Sequence, residues 1–68
     1  MPAIGQIYSQ MPYDPFEDAL KAEIIDVRLD KDGNPWVKYA FVHDKGPRVH
    51  FTLSFSLFLL RYSLEATP

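Results

Sequence analysis

The stretch that decides the fold is Glu23–His43, "EIIDVRLDKDGNPWVKYAFVH". Its first part sets Ile25, Val27 and Leu29 on one side and Ile24, Asp26, Arg28 and Asp30 on the other. Its last part sets Val37, Tyr39 and Phe41 against Trp36, Lys38, Ala40 and Val42. Alternation with period two is the mark of a half-buried strand. Between the two runs, Asp, Gly, Asn and Pro each suit a reversing backbone, so the stretch reads as a hairpin.

A one-residue slip would turn a strand inside out, so the apolar sets of neighbouring strands must face each other. That requirement pairs Leu29 with Val37, Val27 with Tyr39 and Ile25 with Phe41, leaving residues 31–35 as the loop. A third alternating run, "VHFTLS", follows "DKGPR". The same argument pairs Phe41 with Phe51 and Tyr39 with Leu53, with residues 44–48 as the second loop. The three runs form an antiparallel meander.

Upstream, "IGQIYSQ" reads as a short strand. It leads into "MPYDPFEDALKA", where two prolines flanking Asp14 forbid a continuing strand. Downstream, "SFSLFLLRYSLEA" changes period. A serine N-cap, Ser54 or Ser56, precedes Phe55, Leu59 and Tyr62 at a spacing near four, which predicts one or two helical turns. "YSLEA" returns as a short last strand.

The length of 68 residues makes this one domain. A chain of that size buries only about 60% of its unfolded surface. With no cysteine, its stability rests on packing rather than disulfides or thiolate metal sites. The N-terminus lacks a basic n-region and an apolar h-region, and the longest apolar run, "LFLL", is too short to cross a membrane. From Met1 onward the chain reads as a complete, cytoplasmic gene product.

The formal charge is −2, which weighs against a protein whose affinity comes from neutralising phosphates. Asp14, Glu17, Asp18, Glu23, Asp26, Asp30 and Asp32 give the first half an acidic flank, either a solvated surface or an attraction for a basic partner.

Specific chemistries are poorly served. Asp30, Asp32 and Asn34 alternate around Gly33 as in a calcium loop, but that loop needs glycine at position six and glutamate at position twelve. Counted from Asp30, Gly33 is fourth and Phe41 twelfth. His43 and His50 fall on opposite strand faces, so no shared metal site is expected. No serine has a histidine at a spacing that implies a triad, and there is no glycine-rich phosphate loop. The expectation is a non-enzyme without a cofactor.

Strand, long loop, three-strand meander, helical turn, strand is the layout of an SH3-like small barrel, which the chain resembles. It also resembles short bacteriophage-encoded proteins, on the elements "GQIY", "DPF", "DVRLDKDGNPWVKY" and "FLLRY". The resemblance implies a mainly β fold, an SH3-like antiparallel barrel of about five strands, encoded by a phage and acting in its bacterial host. It brings no catalytic residue. The late proline and tyrosine of a polyproline-binding groove are replaced here by "FSLFLLRY", so it is the barrel that carries over, not the ligand.

What remains is aromatic and acidic. Tyr8, Tyr13, Asp14 and Phe16 in or beside the first long loop, with Asp30, Trp36 and Lys38 around the hairpin, form the candidate partner-binding set. Phe16 suits the core of a small barrel as well as a surface. Trp36 falls on the outer face with Arg28, Asp30, Lys38 and Thr52, where burial and partial exposure are both open. Ile24 and Val42 extend that face as a potential partner or dimer contact.

The leading expectation is a protein-binding module that docks on a bacterial host protein, as in host takeover or anti-defence inhibition. The second is nucleic-acid binding through Arg28, Lys38, Arg48 and His50, with Trp36 as a stacking platform. The third is a self-associating structural or virion accessory protein, joined through an edge strand or the outer sheet face.

Overall fold

The computed structural model describes residues 1–10, 20–42 and 46–67. Five strands, β1 (Ile7–Gln10), β2 (Lys21–Leu29), β3 (Pro35–Phe41), β4 (Phe51–Ser54) and β5 (Tyr62–Ala66), are joined by one helical turn, α1 (Phe55–Phe58). They make a single antiparallel sheet in the order β4-β3-β2-β1-β5. Among the described residues the protein is therefore mainly β, with one short helix before the last strand, as its sequence pattern requires.

The register differs from the expected one. Val27 pairs with Val37, Arg28 with Trp36 and Leu29 with Pro35, so the hairpin loop is Asp30 to Asn34, and each partner lies two residues from its expected position. Between Ile24 and Asp26 the ladder is interrupted by a bulge, beyond which Ile24 pairs with Tyr39 and Ala22 with Phe41. An extra residue in one strand changes which side chains face the core. Ile24 and Ala22 are consequently fully buried, while Ile25 is only partly so. Ile24 belongs to the core, a correction to its expected place on the outer face.

Tyr39 pairs with Phe51 and Val37 with Leu53, again two residues from expectation. β3 ends at Phe41 and β4 begins at Phe51, so the two strands stop further apart than the five-residue loop inferred.

Phe58 is the hub of the core, fully buried and within 5.0 Å, centroid to centroid, of both Tyr8 and Tyr39. It stacks on Tyr62 at 4.4 Å with an interplanar angle of 13°. Ala22, Ile24 and Val37 complete the buried set, and Val27, Phe41, Leu53 and Phe55 pack around it. Aromatic side chains bury large areas each, which is how so short a chain closes a core without staples. The helical turn that delivers Phe58 is capped by Ser54, whose Oγ accepts from the Leu57 amide.

Among the described residues one polar side chain is buried with the rings. Gln6 Oε1 accepts from the Ala3 amide at 2.7 Å and from the Tyr8 hydroxyl at 3.4 Å. Burial raises the Tyr8 pKa, and it pushes that of Tyr62 up to about 12, with a hydrogen bond to Tyr39 adding to the effect.

Candidate binding surface around Trp36

The hairpin loop is organised by one carboxylate. Asp30 Oδ1 accepts the amides of Asp32 and Asn34, each at 2.9 Å, and Oδ2 accepts the Trp36 indole N–H at 3.2 Å. The backbone closes the same turn: the Asp30 amide donates to the Asn34 carbonyl and the Gly33 amide to the Asp30 carbonyl. An aspartate that bonds its own backbone two residues on is a turn-forming device. Gly33 takes the positive φ of 82° that the reversal needs. With both Asp30 oxygens engaged by N–H donors, the stretch is a turn that ends in a held tryptophan. Those donors, the Asn34 amide first and the indole next, hold the Asp30 pKa below its usual value.

Trp36 is 41% exposed. Its ring borders a shallow pocket of about 70 Å³ lined by Asp26, Arg28, Trp36, Val37, Lys38 and Thr52. Strand pairing explains the convergence. Asp26, Lys38 and Thr52 form one cross-strand row, and Arg28, Trp36 and Ser54 form the next. Residues two apart in a strand share a face, so Arg28 lies beside Asp26 and bonds it, Nε to Oδ2, at 3.0 Å. That bond, followed by one from the Val27 amide, lowers the Asp26 pKa. Two cations, Arg28 and Lys38, and two carboxylates, Asp26 and Asp30, surround the indole.

The structure thus brings Asp30, Trp36 and Lys38 together. Tyr8 does not join them: its ring is 3% exposed and packs on Phe55 and Phe58, so it is a core residue, which corrects its place in the candidate surface. Tyr13, Asp14 and Phe16 lie outside the described residues. Asp26, Arg28 and Thr52 line the pocket although the candidate set omitted them. Their signal was present, since all three alternate onto the same strand face as Trp36.

Elsewhere on the surface, Arg48 reaches Glu23 at 2.9 Å, and His50 is exposed in the approach to β4. Glu65 receives bonds from Lys21 and Ser9, which lower its pKa in that order. Among the described residues no cluster of His, Cys, Asp and Glu has metal-site geometry, and no helix is long and apolar enough to cross a membrane.

No family model matches this chain, and no curated protein or solved structure is found to be similar to it.

Proposed function

We propose that the protein is a non-enzymatic binding module that docks a partner protein on the outer face of β2, β3 and β4, with Trp36 as anchor. The observation that carries this reading is the Trp36–Asp30 bond, which holds a large, half-exposed indole in one orientation at the rim of a pocket. A preoriented aromatic loses little freedom on binding, and tryptophan and arginine are the side chains most often found as interface anchors. The flanking Arg28 and Lys38 fit a partner segment that carries a carboxylate beside an apolar side chain. The resemblance to phage proteins supports a bacterial host or defence protein as that partner, which the module would modulate or inhibit in the host cytoplasm.

Trp36 is the sole tryptophan, so its fluorescence reports on the site directly. Capture from bacterial lysate with wild-type protein, Trp36→Ala and Lys38→Glu in parallel should yield a protein retained by wild type only. Titration of that purified protein should shift the Trp36 emission. A captured protein indifferent to both substitutions would overturn the assignment of the surface.

The same arrangement, an indole between two cations, also suits base stacking. Binding to single-stranded DNA or RNA that weakens steeply with salt and is lost in Trp36→Ala would favour that second reading.

A further inference from the structure

At the other end of the sheet, β5 offers an open edge whose sequence is complementary to itself. Among the described residues β5 pairs only with β1, through Gln10 to Tyr62, Ser9 to Ser63 and Tyr8 to Leu64. The Gln10 amide donates to Leu20, on the β2 side, so in the alternation of an antiparallel ladder it is Ser9 that bonds toward β5. Ser63 therefore spends its backbone groups on β1. Tyr62 and Leu64 aim theirs outward, and an edge of that kind is a template for another strand.

We infer that β5 pairs antiparallel with β5 of a second copy, about a two-fold axis at Ser63. This register sets Tyr62 opposite the second copy's Leu64, so that the outward amides and carbonyls of both residues are matched. Arg61, the turn residue immediately before β5, then lies beside the second copy's Glu65. Every opposed pair is apolar with apolar, cation with anion, or serine with serine. Moving the axis to Leu64 would set Tyr62 opposite Ala66, beyond the register shift that separates Leu64 from Ala66 in the β1–β5 ladder. It would also leave both charges opposite neutral residues, so the Ser63 register is the one selected.

Three observations favour a second copy as the occupant. Arg61 is exposed and has no ion-pair partner among the described residues. Leu64, next to the buried Tyr62 on the core side of β5, is 52% exposed, and Leu60 in the turn before the strand is 71% exposed. Self-complementarity about a two-fold is also what an isologous interface requires and a foreign strand does not. The interface lies across the sheet from Trp36 and leaves that surface open, so the inference is independent of the proposed function.

The test is sedimentation equilibrium over a concentration series. Wild type should self-associate to a dimer. Arg61→Glu, which sets two glutamates against each other at both ends of the strand pair, should weaken association by about tenfold or more. Arg61→Glu mixed with Glu65→Arg should form a heterodimer, because both opposed pairs are then attractive. Should Glu65→Arg lose its fold with its Lys21 contact, Leu64→Lys provides the second arm and should abolish association. A wild-type protein that stays monomeric at its highest soluble concentration overturns the inference, as does a dimer indifferent to Arg61→Glu and Leu64→Lys.

Discussion

The Trp36 indole donates to Asp30 across the mouth of the hairpin, six residues away along the chain, at 3.2 Å. One carboxylate therefore sets the turn through Oδ1 and orients the most conspicuous surface side chain through Oδ2. Asp30→Asn separates the two roles, since an amide can keep one acceptor for the turn amides but not a second for the indole. We expect Asp30→Asn to retain most of the thermal stability while Trp36 fluorescence anisotropy falls. Asp30→Ala should lower both. Equal anisotropy in all three proteins would show that the bond does not orient the ring.

Stability should fall at both extremes of pH. Asp26, Asp30 and Glu65 all have pKa values lowered in the folded state. Their contribution is present above the ordinary carboxylate values and is lost as pH falls through the folded ones. Tyr62 has the opposite sign. Raised from 10.0 to about 12, it contributes fully below 10.0 and loses that contribution as pH rises toward about 12. Thermal melts across pH should show a broad plateau between these limits. Tyr62→Phe should reduce the alkaline decline to the part that Tyr8, also raised by burial, contributes, and leave the acid one unchanged.

Phe58 is the residue whose truncation the fold can least absorb. Phe58→Ala should cost about 3–5 kcal/mol, against a total of roughly 3–10 kcal/mol for a domain of this length. The variant should be largely unfolded by circular dichroism. Phe58→Leu keeps most of the volume and should remain folded, with a loss of about 1–2 kcal/mol. Urea titration would measure the difference.

Gly33 gives a purely conformational test. A Cβ there would meet nothing within 4 Å, yet φ is +82°. Gly33→Ala should therefore destabilise by about 1–2 kcal/mol through backbone strain alone. Gly33→Asn, which tolerates this region, should cost less.

How much of this was legible in the sequence is clearest along β2 and β3. Period two identified both strands, and the chemistry of "DGNP" located the turn, because those signals are local. The register was misplaced by two residues. Facing apolar sets against each other leaves that ambiguity, since a slip of two keeps every side chain on its side of the sheet. Ile24 was misassigned because a bulge has no signature in the alternation of "EIIDV". Tyr8 was misassigned because an aromatic beside a loop reads alike whether it packs inward or outward. The grouping of Trp36, Arg28, Lys38 and Thr52 survived both errors, since it depends only on their sharing a face.

The bulge at Ile25 means that β2 has no single inside and outside. Before it, the even-numbered Ala22 and Ile24 point to the core; after it, the odd-numbered Val27 does. Polar substitutions scanned along the strand should thus harm even positions first and odd ones later, with the parity changing at one residue. Deleting Ile25 would remove the phase change and force one half of the strand to present its wrong side. The half facing β1 carries Ala22 and Ile24, while the half leading to the turn carries Asp26 and Arg28. The surface and the core are thus coupled through the count of residues between them, and an insertion or deletion there would disturb both together.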